Sequence, residues 1–170
     1  MSVIANTTVI SNFAGINQLD LLRRLLGALY ISTEVYEEIR IGIEEGYQFY
    51  TGIDEMTHPI VHDGWIRLTS MAEEAELGLY GELPSRLHRG EASCVVIARH
   101  RGWLLLTDDR AARDEGDRLG IIVSGSVGCL VLAVERGLCS LEQANIWLGE
   151  MIRQGYRSPV NDLTSMLKRS

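Results

Sequence analysis

The stretch WLLLTDDRAAR, residues 103–113, joins a continuous apolar run to two adjacent acidic residues and a polar segment. A short apolar run without polar alternation is typical of a strand covered on both faces of a parallel sheet. Asp108 or Asp109 follows as a potential helix N-cap and predicts a helix that ends at Gly120. This stretch therefore predicts one strand-to-helix step of an α/β fold.

The same alternation continues on both sides of residues 103–113. Further strands are predicted at residues 3–6, 28–31 and 121–123, with an edge strand at 65–68. Helices are predicted at residues 7–14, 18–26, 33–43, 71–77, 91–100, 126–136 and 141–154. Regular alternation of strands and helices predicts an α/β fold in which a parallel sheet of four or five strands has helices on both faces.

The length and composition fit one domain. The chain has 170 residues, of which 46% are hydrophobic and 23% charged, as in an ordinary globular protein. Glycines and prolines interrupt residues 44–85, which we interpret as an irregular insertion or lid. Residues 140–170 are predicted to form a C-terminal helical extension.

Several features favour a cytoplasmic protein without a membrane partner. No apolar run approaches the roughly 20 residues that a membrane-spanning helix requires. The N-terminus has no basic flank before its strand-like pattern, which argues against a signal peptide. The three cysteines include no Cys-x-x-Cys pair, so reduced thiols are favoured over disulfides or a zinc site.

Acidic and amide side chains stand where two strands end. Ligands of an open parallel sheet bind outside the carboxyl ends of its strands, so Asn6 and Asp109 are expected at the same edge. Glu38 lies beside the apolar stripe of its helix, and Glu91 opens another helix. Each acid also has a simpler explanation: Asp108 or Asp109 as a helix cap, and Glu91 as a favourable charge near the helix dipole.

Several motifs, taken in order, resemble the PIN domain family. They are VIANTTVISNFA (3–14), STEVYEEI (32–39), RGEAS (89–93), LLLTDDRAAR (104–113), GSVGCLVLAVERGL (125–138) and GYRSP (155–159). The resemblance covers nearly the whole chain, is weakest at 44–85, and is closest to a prokaryotic branch related to toxins of the VapC type. It implies a three-layer α/β fold and a metal-dependent endoribonuclease that hydrolyses RNA phosphodiester bonds. It also implies a possible place in a toxin–antitoxin pair, with an antitoxin protein as partner.

The resemblance further implies a set of acids around one or two Mg²⁺ or Mn²⁺ ions. Carried over to this chain, the catalytic positions are Asn6, Glu38, Glu91 and Asp109, with Asp108 as a further possible metal ligand. Thr107 and Ser126 match hydroxyl positions that could hydrogen-bond the carboxylates. Carboxylates suit these hard cations, which activate water and neutralise a phosphodiester.

Asn6 departs from the family, which has aspartate at this position. An amide keeps one oxygen but loses the charge, which would weaken metal affinity. Three explanations stay open: a naturally weakened site, a site that has lost catalysis and kept binding, or an engineered substitution. A catalytically silent PIN-like module that binds RNA or a protein partner is therefore the alternative to the ribonuclease.

The formal net charge of −7 is unexpected in a protein that binds RNA, because phosphate contacts need Lys and Arg. A bound metal or a local basic patch would reverse the field. Arg89, Arg110 and Arg113 are the candidate RNA contacts, and a solvated helical surface is the alternative. A third hypothesis, a small-molecule phosphatase or nucleotide-binding domain, is disfavoured because the chain has no P-loop and no G-x-G-x-x-G. A homodimer is also expected from the resemblance, through helices near 21–26 and 147–152.

Overall fold

The computed structural model describes residues 1–167 and is built around one parallel sheet. Its strands are β1 (Val3–Ala5), β2 (Leu29–Ser32), β3 (Thr57–His58), β4 (Ile66–Thr69), β5 (Leu104–Leu106) and β6 (Val123–Ser124). Their order is β3-β4-β2-β1-β5-β6, and every neighbouring pair is parallel. The predicted α/β fold with a parallel sheet is confirmed, but the sheet has six strands instead of four or five.

Nine helices are described in residues 1–167. They are α1 (Thr7–Gly15), α2 (Leu19–Leu26), α3 (Thr33–Glu44), α4 (Glu74–Glu82), α5 (Arg89–Arg101), α6 (Arg110–Arg118), α7 (Ser126–Glu135), α8 (Leu141–Arg153) and α9 (Thr164–Leu167). By their mutual contacts they fall mainly into two groups, one of α3 to α6 and the other of α1, α2, α7 and α8. This grouping matches the expected layers of helices around a central sheet, whose apolar side chains such as Ile4 and Leu105 are fully buried.

The segment 44–85 contains more regular structure than its sequence suggests. It supplies β3, β4, α4 and two short 3₁₀ helices, at Gln48–Tyr50 and Ile53–Met56. The prediction that residues 65–68 form an edge strand is wrong, because β4 pairs with β2 on one side and β3 on the other. The strand that covers this edge is only two residues long, too short to give a sequence pattern. The description of 44–85 as an insertion or lid stays a prediction.

The helix α4 is joined to the end of α5 by an ion pair whose carboxylate is buried and whose arginine is partly exposed. Glu76 is fully buried and accepts a hydrogen bond of 2.8 Å from Arg101 Nε. Arg101 also donates to Thr69 Oγ1 and to the carbonyl of Ser70, each at 2.7 Å, and lies over the ring of Trp103. The hydrogen bond from Arg101 holds the pKa of Glu76 below its usual value, although burial opposes this. The arginine thus joins α4, β4 and α5.

Replacing Arg101 with Met is expected to lower the free energy of unfolding by about 2–3 kcal/mol at neutral pH, because it leaves a buried carboxylate without its partner. The folded-state pKa of Glu76 is lowered, so its contribution is present above its ordinary pKa of 4.5 and is lost as the pH falls through the folded value. The difference in unfolding free energy between the wild type and Arg101→Met should therefore become smaller as the pH falls below 4.5. Urea unfolding at several pH values measures it.

The matched control is Arg99→Met, which removes an exposed arginine from the same helix. Equal stabilities of the Arg99 and Arg101 variants at neutral pH would contradict a stabilising role for the pair.

The apolar helix faces considered for a homodimer are covered within one chain. Leu21, Leu22 and Leu25 of α2 are buried, as are Leu148 and Met151 of α8. These residues therefore pack in the core, the alternative that the sequence left open, and the homodimer itself stays a prediction.

Two further sequence features have plain structural counterparts. Cys94 and Cys129 are buried free thiols, and burial raises the pKa of each to about 12. Cys139 is also free and is partly buried. In the part of the chain from residue 1 to 167, no helix is long and apolar enough to cross a membrane.

A candidate acidic site at the carboxyl edge of the sheet

The ends of β1 and β5 meet at one edge of the sheet, as predicted. Ala5 is in register with Leu106, and the next backbone N–H, that of Asn6, donates to the Leu106 carbonyl at 3.1 Å. The side-chain amide of Asn6 donates to Thr107 Oγ1 at 2.6 Å. The first residues beyond the two strands are therefore in direct contact.

Asn6 uses both halves of its amide inside the protein. Its Oδ1 accepts from the backbone N–H of Thr8 at 3.2 Å and from the Thr8 hydroxyl at 2.6 Å, so it caps α1. Its Nδ2 is the donor to Thr107, and only 1% of the residue is exposed. Thr107 Oγ1 also accepts from the backbone N–H of Asp109 at 3.1 Å. Asn6 thus acts on Asp109 through the threonine between them.

Glu38 reaches the first turn of α5. Its Oε2 accepts from the Thr7 hydroxyl at 2.6 Å, and its Oε1 accepts from the backbone N–H of Gly90 at 3.0 Å. A Cβ atom at Gly90 would lie 2.5 Å from that Oε1, a distance that side chains do not tolerate. The glycine of RGEAS is therefore required for Glu38 to approach, a role that the sequence did not assign although the motif contained it.

Glu91 lies next to this contact, and the negative charges of two other acids act on it. Its Oε2 accepts from the backbone N–H of His88 at 3.0 Å, which closes the N-terminus of α5. Burial raises the pKa of Glu91 most, and the negative charges of Asp109 and Glu38 raise it further, while the His88 hydrogen bond opposes the increase. Glu38, Glu91 and Asp109 therefore share one electrostatic environment.

Asp109 caps α6 and keeps one oxygen available. Its Oδ2 accepts from the backbone N–H of Ala112 at 2.8 Å. Within residues 1–167, no hydrogen bond reaches Asp109 Oδ1 or Glu91 Oε1. The capping role and the role of a possible ligand are compatible, because each uses a different oxygen.

Asp108 is fully engaged by the protein. It accepts from Asn12 Nδ2 at 2.8 Å, from the Ser126 backbone N–H and hydroxyl at 2.9 and 2.5 Å, and from the Tyr156 hydroxyl at 3.3 Å. A carboxylate has about four acceptor positions, so these contacts use them all. A Cβ at Gly125 would lie 2.4 Å from Asp108 Oδ1, which explains the glycine before Ser126. Asp108 joins α1, α7 and the C-terminal segment, and its place among the metal ligands stays a prediction.

The remaining acids offer the kind of ligand atom that a hard divalent cation binds. Glu38, Glu91 and Asp109 offer carboxylate oxygens, the ligands that Mg²⁺ and Mn²⁺ prefer, and a cation would relieve the repulsion among them. Among residues 1–167, however, no three His, Cys, Asp or Glu side chains are gathered closely enough to form a metal cluster. The donor set therefore fits, although the oxygens do not surround one point in this structure.

The acids open onto two cavities. Glu38 and Glu91 line one of about 710 Å³, together with Glu37 and Arg89. Asp109 lines another of about 680 Å³. The candidate site therefore opens onto one cavity with a mainly acidic lining and onto a second cavity whose lining differs.

The three arginines predicted to contact RNA have different surroundings. Arg89 lies 3.7 Å from Glu37 in an exposed ion pair. Arg113 donates to the carbonyl of Thr107 at 2.9 Å. Arg110 is exposed and lines the same cavity as Asp109. Of these three arginines, Arg110 alone is exposed, has no such partner and lines a cavity together with a candidate catalytic acid.

A family model described as PIN domain matches residues 2–170. No curated protein matches the chain.

Proposed function

The chain belongs to the PIN domain family, and from this premise we propose that it is a cytoplasmic, Mg²⁺- or Mn²⁺-dependent endoribonuclease. PIN domains are generally nucleases. The observation that supports the proposal most is the shared environment of Glu38, Glu91 and Asp109, in which two of the charges act on the third. Like charges are brought together in this way at sites that bind a cation or transfer protons.

Glu91 and Asp109 are the proposed principal ligands, since each keeps an oxygen that no protein donor uses. When bound, the metal supplies an activated water and neutralises charge on the phosphodiester. Glu38 is the third acid of the proposed site, and its carboxylate is held in place by hydrogen bonds from Thr7 and Gly90. Fixed positions matter because a displacement of about 1 Å can cost on the order of a hundredfold in rate.

Asn6 is proposed as a positioning residue. It holds Thr107, and Thr107 accepts from the backbone N–H of Asp109. This chain of contacts orients the start of α6 without adding a negative charge. The amide is thus compatible with a folded site that binds its cation weakly.

One specific observation favours the alternative, a silent module that binds RNA or a protein. Both polar groups of the Asn6 amide are already used inside the protein, and the residue is almost fully buried. The proposals of an antitoxin partner and of a toxin role rest on the motif resemblance alone.

Millimolar Mn²⁺ is expected to raise the melting temperature, because a ligand that binds only the folded state stabilises it by about 1.4 kcal/mol at roughly ten times its dissociation constant. The same protein should cleave single-stranded RNA in Mn²⁺ and not in EDTA. Glu91→Gln should reduce the Mn²⁺-induced shift and the cleavage together. If Mn²⁺ shifts neither protein and no divalent ion supports cleavage, the silent module becomes the better account.

A further inference from the structure

A second arginine lines the same cavity as Arg110. Arg157, from the segment that follows α8, lines the cavity of about 680 Å³ that also contains Asp109 and Arg110. An adjoining cavity of about 550 Å³ is lined by the same two arginines, and Arg113 belongs to it as well. Arg110 and Arg157 therefore line both cavities.

Both guanidinium groups are free to take an anion. Arg110 and Arg157 are exposed, and within residues 1–167 neither has an ion-pair partner. By contrast, Arg89 already lies near Glu37, and Arg113 is bound to the Thr107 carbonyl. The chain carries a net charge of −7, yet among residues 1–167 these two arginines form no ion pair with a carboxylate. Both are therefore available to an external anion such as a phosphate.

Neighbouring contacts hold the segment that carries Arg157. The hydroxyl of Tyr156 donates to Asp108 Oδ1 at 3.3 Å, and Gln154 Nε2 donates to the Gly15 carbonyl at 3.0 Å. Ser158 Oγ donates to the Val160 carbonyl on the other side. Arg157 is thus presented by an anchored segment.

We propose that Arg110 and Arg157 form a phosphate clamp that holds the RNA backbone next to the bond cleaved at Asp109. Guanidinium groups match phosphate oxygens in geometry and charge. An RNA strand that occupies both cavities would contact both arginines. This inference rests on the proposed ribonuclease function for the identity of the strand, and it adds the residues that bind it.

The test measures binding without cleavage. A labelled single-stranded RNA oligonucleotide is titrated with the full chain in EDTA and followed by fluorescence anisotropy at several salt concentrations. Arg110→Gln and Arg157→Gln should each weaken binding at least about fivefold and reduce the slope of log affinity against log salt by about 0.7, the value for one phosphate contact on a single strand. The matched control is Arg153→Gln, which removes an exposed arginine just before the segment and should change binding by less than about twofold.

Competition separates the possible sources of the phosphate. Inorganic phosphate and a nucleoside monophosphate at millimolar concentration should displace the oligonucleotide poorly if the clamp binds an internal phosphate of the strand. Efficient displacement would identify a site for free or terminal phosphate and overturn the clamp on the strand.

The remaining outcomes also decide the matter. The clamp is wrong if the wild type does not bind the oligonucleotide, or if both clamp variants bind like Arg153→Gln. If both variants lose binding but the wild type cleaves nothing in any divalent metal, the clamp stands and the ribonuclease proposal fails. Melting temperatures of the variants, expected to match the wild type, show that lost binding does not come from unfolding.

Discussion

Asp109→Asn and Glu91→Gln are each expected to reduce RNA cleavage in Mn²⁺ by at least about a hundredfold, equivalent to roughly 2.7 kcal/mol in the barrier. Both changes are nearly isosteric and keep the hydrogen bonds that close α6 and α5, because a side-chain amide oxygen still accepts from Ala112 or His88. The substitutions therefore remove charge while preserving the helix caps. Cleavage of a labelled oligonucleotide under single-turnover conditions, with the melting temperature measured in parallel, checks the expectation.

Two neighbouring acids provide the controls. Asp114→Asn removes an exposed carboxylate from the helix that Asp109 caps and should leave cleavage unchanged. Asp108→Asn should instead lower stability, since a carboxylate that accepts four hydrogen bonds is replaced by an amide with half as many acceptor positions. If Asp109→Asn cleaves as fast as Asp114→Asn, Asp109 is only a helix cap.

Asn6→Asp is expected to raise cleavage by at least about tenfold, equivalent to roughly 1.4 kcal/mol in the barrier. A carboxylate has the same size as the amide and can still accept from Thr8, while Thr107 can turn its hydroxyl to donate to it. The added charge strengthens the field that holds a cation. Without metal, the same charge is buried beside the other acids and should lower the melting temperature.

The two effects give Asn6→Asp a distinctive signature. The variant should be less stable than the wild type in EDTA, yet it should gain more stability when Mn²⁺ is added. Asn6→Ser, which can also cap α1 but adds no charge, is the control and should not cleave faster than the wild type. If the wild type already cleaves briskly and Asn6→Asp changes neither the rate nor the Mn²⁺-induced shift, position 6 acts only through Thr107.

Local sequence patterns predicted the elements that carry the site. The apolar run before Asp108 indicated a buried strand, and the helix-forming pattern after it required a cap, so a strand-to-helix step was expected there. The parallel arrangement followed from the alternation, and it placed Asn6 and Asp109 at one edge, where their contacts through Thr107 are found. The extra strand β3 had no such signal, because two residues cannot show a period of two.

Helix capping alone could not distinguish the adjacent acids, and Asp109 was assigned as the catalytic position only through the family resemblance, with Asp108 as a further possible ligand. Either Asp108 or Asp109 satisfied the pattern, but the structure engages Asp108 through Asn12, Ser126 and Tyr156 and leaves one oxygen of Asp109 without a donor. This difference depends on residues far along the chain that meet only after folding.

What the sequence determined by itself was therefore the order of strands and helices and the kinds of side chain at the strand ends, because periodicity and capping act over a few neighbouring residues. Only the tertiary structure decided that Gly90 admits Glu38, that Asp108 is an anchor, and that Arg157 lines the same cavity as Arg110. The physical reason is that a hydrogen bond or a shared cavity requires positions correct to within about an ångström. Such positions are set by the packing of separate elements around the sheet.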